Sequence, residues 1–246
     1  MSQGRFASSA GILVADGPNE ATHVSSWPRQ GAYRTLFPNT QMPVGGSEWR
    51  HGFSDGGPWY NFRSLSNKAV GSQINHAPAF SDSLACLGGY WYNDQSVTTT
   101  ITFANPPTNG THAQLVPEEV EILLRFSIDQ GVARGYECLW SVVQDATFGR
   151  YIQLARWEGG LGQFTKLADG TATLATDGDT FSASIVGTVI TVQVNGVTKL
   201  TYDTTADNPK YASGAPGIGH YFQNASDLGT YVASDFGLTS FSVTAN

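Results

Sequence analysis

From residue 84 onward the chain alternates apolar and polar side chains with a period of two. No apolar stripe at helical spacing lasts beyond a turn or two. A period of two puts successive side chains on opposite faces, so such segments must be strands with one buried face. Residues 97–103 read Val-Thr-Thr-Thr-Ile-Thr-Phe. In 120–128, Val120, Ile122, Leu124, Phe126 and Ile128 fall on one face, with Glu121, Leu123, Arg125 and Ser127 on the other. Further strands are predicted over 136–144, 150–157, 181–186, 189–194, 197–202 and 236–243. Asp169-Gly170 and Asn195-Gly196 stand between alternating runs and predict tight hairpins, because both central positions of such turns need positive φ. Short strands separated by turns predict an all-β fold, an antiparallel two-sheet β-sandwich or jelly roll, as one domain over residues 51–246. Residues 1–50 have no clean period. Gly and Pro punctuate them (Gly17-Pro18, Pro38, Pro43, Gly45-Gly46) among aromatics such as Trp27, Tyr33, Phe37 and Trp49. They read as an extended N-terminal arm that packs on its own domain or on a neighbouring subunit.

Such a sandwich must keep its surface polar, and here it does so with little charge. Charged residues are 13 % of the 246, where a soluble domain carries roughly 25 %. Aromatics at 12 % exclude a disordered chain, which combines few aromatics with high net charge. No apolar run approaches the roughly 18–20 residues of a membrane-spanning helix. A net charge of −7 and a pI near 5.1 exclude the phosphate neutralisation on which nucleic-acid binding rests. The N-terminus lacks the continuous apolar core of a secretory signal, so no signal peptide is read. The expected setting is a virion or the extracellular space. Cys86 and Cys138 each sit in an apolar stretch, which suits either a single bridge or two buried thiols.

The chemistry-bearing residues are sparse. His23, His51, His76, His112 and His220 show no metal-ligand spacing, and neither a Gly-x-Ser-x-Gly elbow nor a phosphate-cradling glycine loop occurs. The remaining signal is aromatic. Pro58-Trp59-Tyr60-Asn61-Phe62 and Gly88-Gly89-Tyr90-Trp91-Tyr92-Asn93-Asp94 set rings beside amide and carboxylate groups. Sugars have apolar C–H faces and hydroxyl rims, so exposed Trp59, Tyr60, Tyr90, Trp91, Tyr92 and Asn93 would suit a glycan. Core packing is the competing use of the same rings.

Three stretches carry a family resemblance. They are Glu119-Val-Glu-Ile-Leu-Leu-Arg-Phe-Ser, Gly149-Arg-Tyr-Ile-Gln-Leu-Ala-Arg-Trp, and the run from Gly178 through Val-Gln-Val-Asn195-Gly196 to the Gly214-Ala-Pro-Gly-Ile-Gly-His loop. Their order within residues 50–246 resembles the concanavalin A-like lectin/glucanase superfamily, a two-sheet jelly roll. The resemblance implies a concave sheet bearing Arg125, which would join the glycan-binding residues. The superfamily's hydrolases carry Glu-x-Asp-x-x-Glu on one strand, and no such motif occurs here. The nearest is Glu118-Glu-Val-Glu121, whose Glu119 and Glu121 share a face and are expected to be solvated. Its lyases use Tyr or His with Arg and Gln, a set that Arg125, Glu137, Tyr151 and Gln153 would resemble if they shared one face of neighbouring strands. The lyase signatures themselves are absent. No cofactor is expected beyond the structural calcium that the superfamily admits, for which Asp55 or Asp235 could supply oxygens.

The resulting expectation is a non-catalytic, lectin-like sandwich. It would bind glycan, or serve as an outer structural component of an assembly such as a phage decoration or fibre protein. Its partners would be a glycan or neighbouring subunits, including copies of itself, with no nucleic acid and no membrane span. The alternative is a polysaccharide hydrolase or lyase with an atypical site on the concave sheet.

Overall fold

The computed structural model describes residues 29–65, 67–74, 79–103, 118–142, 150–222 and 236–246. Asp235, His23, His76, His112 and the first 28 positions of the arm lie outside the described residues. In chain order the strands are β1 (Ala32–Thr35), β2 (Trp49–His51), β3 (Tyr60–Asn61), β4 (Arg63–Ser64), β5 (Ala69–Val70) and β6 (Ser83–Leu87). They continue with β7 (Gln95–Phe103), β8 (Glu118–Asp129), β9 (Val132–Ser141), β10 (Ile152–Gly159) and β11 (Phe164–Asp169). The last five are β12 (Thr180–Val186), β13 (Val189–Val194), β14 (Val197–Asp203), β15 (Ala215–Phe222) and β16 (Phe236–Ala245).

Two eight-stranded sheets result. The back sheet runs β14-β13-β12-β7-β16-β5-β4, with β1 paired to β16. The front sheet runs β11-β10-β9-β8-β15-β6-β2, with β3 beside β6. Pairing is antiparallel except for β3 with β6. Both sheets bury their facing sides between them. Trp140 of β9 meets Phe181 of β12 at 5.5 Å, and Trp49 of β2 meets Phe241 of β16 at 5.1 Å. Residues 30–51 are built into the sheets: β1 lies on the back sheet, β2 on the front, and Tyr33 packs edge-on to the buried Trp49 at 5.8 Å.

Two local expectations change, and the open question of the cysteines closes. Asp169-Gly170 makes no hairpin; β11 ends at Asp169 and an irregular connection leads to β12. The Gly170 amide instead bonds the Ile152 carbonyl at 2.8 Å. The Gly214–His220 stretch forms most of a fully buried inner strand, β15, between β8 and β6. Cys86 and Cys138 are buried free thiols. Asn195-Gly196 does form the expected tight turn, with φ of 50° and 75° between β13 and β14.

Candidate functional site

Alternation on the front sheet decides which side chains meet. On β10, Ile152 and Leu154 face the core, so Gln153, Ala155 and Trp157 face outward. Their cross-strand partners on β9 are Leu139, Glu137 and Gly135. On β8 the same outward face carries Glu119, Glu121 and Leu123, and on β15 it carries Tyr221, Gly219 and Gly217. Of these, Glu119, Glu137, Leu139, Gln153, Ala155, Trp157 and Tyr221 line a cavity of about 460 Å³, which Tyr151, Phe164 and Lys166 also border.

Gly219 is what lets the carboxylates gather. A Cβ on it would lie 1.8 Å from Glu121 Oε2, so only a bare backbone leaves Glu121 its place. Across the space so left, Asp82 at the edge of β6 comes within electrostatic reach of Glu119 and Glu137.

Glu121 does not sit in water, as the carboxylates starting β8 were expected to, and neither does Glu137 on β9. They are 1 % and 4 % exposed, and Asp82 is 5 % exposed. Burial disfavours their charged forms, and the neighbouring acids repel one another, so Asp82 and Glu121 are pushed well above the ordinary carboxylate range. Glu137 is raised by burial too. The contact with Glu121 and the Trp157 indole pull it partly back, while the same contact raises Glu121. Burial thus favours the neutral form of both carboxyls, and most strongly that of Glu121. Among the described residues, Glu121 Oε2 and Glu137 Oε1 are buried without a hydrogen-bond partner. Glu119 differs, because the Tyr151 hydroxyl donates to it directly.

Of the four residues considered as a lyase-like set, Glu137, Tyr151 and Gln153 line this one cavity. Arg125 does not. Register shifts between Leu124 and Ser127, and Arg125 takes a φ of 47°, so the bulge turns its side chain off the outward face. Its guanidinium donates to the carbonyls of Asn93 (2.8 Å), Gly187 (2.9 Å) and Tyr211 (3.3 Å), and meets Asp94 at 3.4 Å. At 5 % side-chain exposure it ties three connections together.

The aromatic clusters also divide. Trp59 and Trp91 are buried at 0 % and 4 %, so neither indole presents a face to a sugar; Trp91 Nε1 donates to the Gly88 carbonyl at 3.0 Å. Tyr60 is half-buried beside β6. Tyr90 and Tyr92 are exposed, and Tyr92 lies under the Arg29 guanidinium at 5.7 Å. Tyr90 and Asn93 line a separate depression of about 570 Å³ with Arg29 and Arg50. Asp55 has both carboxylate oxygens engaged, by Arg50 at 3.1 Å and the His51 amide at 2.5 Å. Among the described residues, no group of three or more His, Cys, Asp or Glu is placed to hold a metal ion.

Sequence reasoning passed over Asp82, Trp157, Phe164 and Tyr221. Trp157 was within reach, since it lies at the same parity as Gln153. Phe164 belongs to a strand with no clean alternation, Tyr221 lies on the unrecognised β15, and Asp82 immediately precedes β6, over which no strand was read.

No protein-family model and no curated protein matches the chain. Solved structures do. The β-agarase A of Zobellia galactanivorans superposes with a TM-score of 0.55 at 10 % identity, over 91 % of this chain and 97 % of that one. A glycoside hydrolase family 16 endo-glucanase from Bacteroides ovatus gives 0.51 at 8 %, over 86 % and 99 %. The carbohydrate recognition domain of Emp46p gives 0.51 at 10 %, over 85 % and 93 %. Likeness at such identities is one of fold, and together with the two antiparallel sheets it makes this chain a concanavalin A-like jelly roll.

Proposed function

We propose that the protein binds a glycan in the front-sheet cavity. The observation that carries this reading is the convergence there of carboxyl groups (Glu119, Glu137), an amide (Gln153) and the accessible rings of Phe80 and Phe164 around about 460 Å³. A sugar needs hydroxyl acceptors on its rim and apolar surface on its faces, and this lining offers both. Structures of similar fold named for agarase, endo-glucanase and carbohydrate recognition support the reading without fixing the ligand.

A second reading is favoured by one observation, the two carboxyl groups, Glu119 and Glu137, that line the cavity from the neighbouring strands β8 and β9. Glycoside hydrolysis needs a carboxylic acid to protonate the leaving oxygen and a carboxylate to act on the other side. Glu137, raised by burial, and Glu119, which accepts from the Tyr151 hydroxyl, both face the cavity and are the candidates for the two parts.

Calorimetric titration against agarose and mixed-linkage glucan oligosaccharides tests binding, and reducing-end release from the polymers tests hydrolysis. Gln153→Ala should weaken binding by about tenfold, the effect of roughly one lost hydrogen bond to the ligand. Glu137→Gln should abolish any reducing-end release while leaving bound sugar detectable. Failure of the whole panel to bind would overturn the glycan reading. Binding without release would remove the hydrolytic one alone.

A further inference from the structure

The front-sheet cavity is bordered by two chain segments that are not part of its floor. The first joins β2 to β3. It lies against the front sheet, where the Gly52 amide bonds the Leu84 carbonyl at 3.1 Å and the Tyr60 amide bonds the Asp82 carbonyl at 2.9 Å. It seats the fully buried Trp59 edge-on against Trp157 at 5.5 Å. Since Trp157 lines the cavity, the two indoles form a solid wall on that side.

The second segment leads into β6. Phe80, at a φ of 62°, places its ring 5.2 Å from that of Phe164 on β11. In the front sheet β6 and β11 are separated by β15, β8, β9 and β10. A contact between residues belonging to these two sides must therefore pass over the cavity. Tyr221 of β15 holds the near side of this bridge through the Phe80 backbone. The far side rests on the Phe80–Phe164 contact, and Phe80 remains 45 % exposed.

We propose that this cavity takes the end of a glycan chain and rejects internal stretches; the inference rests on the glycan reading above. An internal stretch must enter and leave along an open groove. Here the Trp59–Trp157 wall blocks one direction and the Phe80–Phe164 bridge spans the top, so a chain enters by its terminus. The lining suits that terminus, because a terminal sugar carries a free hydroxyl that an internal one has lost to the next linkage. Glu119, Glu137 and Gln153 provide acceptors for it inside the cavity.

The test uses the full chain and the agarose and mixed-linkage glucan polymers, before and after partial acid hydrolysis. Hydrolysis multiplies chain ends at constant sugar mass. If ends are bound, raising their number about tenfold raises the amount of protein retained per gram of polymer by about the same factor, since capacity counts sites. Phe80→Ala, which removes the bridge from above and leaves the cavity floor in place, should retain more protein on unhydrolysed polymer and weaken the dependence on hydrolysis. Unchanged wild-type capacity after hydrolysis would overturn the inference while leaving glycan binding intact. Retention on neither material, with no oligosaccharide bound in solution, would overturn the glycan reading and this inference with it.

Discussion

Glu121 concentrates the energetic cost of the acid cavity in one side chain. Its folded carboxyl is held above the unfolded value of about 4.3 by burial and by Glu137, Asp82 and Glu119. Below that value both states are protonated and nothing is lost. As pH rises through it, the unfolded chain ionises freely while the folded one resists, so stability falls toward neutrality. Glu121→Gln keeps the shape and can still donate to Glu137. It should gain about 1–3 kcal/mol at pH 7, the usual penalty of an unsatisfied buried group, and almost nothing near pH 4, as read by urea unfolding at both values. His51 acts with the opposite sign. Burial lowers it from 6.5 to about 4, with Asp55 opposing, so its contribution is lost as pH falls across that window. His51→Leu should flatten the acid limb there. Arg125, by contrast, is purely structural; Arg125→Ala orphans three carbonyls and should cost about 2–4 kcal/mol in the same assay.

At the scale of elements, strands with clean alternation were legible in the sequence and those shaped by neighbours were not. β7, β8, β12, β13 and β16 follow the period-two pattern within a residue or two, because each packs one face on the core and turns the other outward. β15 escaped because Ala-Pro-Gly-Ile-Gly reads as a loop, whereas its glycines serve close approach to Cys86 and Glu121. The Arg125 bulge escaped for a related reason, since alternation alone cannot register an inserted residue. Its space is made by glycines on two other segments. Gly135 and Gly214 adopt φ of 139° and 146°, and a Cβ on either would fall within 2.6 Å of the bulge backbone. Gly135→Ala should therefore destabilise by more than about 2 kcal/mol, with a fall in thermal midpoint of several degrees. Alanine at Gly196, an open turn with nothing near its Cβ, should cost closer to 1 kcal/mol.

For the whole molecule, few charges and no disulfide leave the packed interface between the sheets as the main source of stability. Phe, Trp, Ile, Leu and Val side chains from both sheets form one continuous buried cluster that includes Cys86 and Cys138. The cluster also governs the chemistry of the two thiols. Burial raises Cys86 to about 12 and pushes Cys138 higher still, so neither yields thiolate at neutral pH. Reaction with a thiol reagent then requires the sheets to separate. The β9 and β6 strands that carry the two residues pair on both sides within the front sheet, so no fraying edge exposes either one. Labelling of both thiols in the native protein should accordingly be slow and should share one rate. That rate should rise with urea along the same curve as global unfolding. Mass spectrometry of partly labelled samples distinguishes the outcomes. A population carrying none or two labels supports a single cooperative sandwich, whereas an early singly labelled species would show that one sheet edge opens on its own. Reducing agent should leave the unfolding midpoint unchanged, because no bridge exists for it to break.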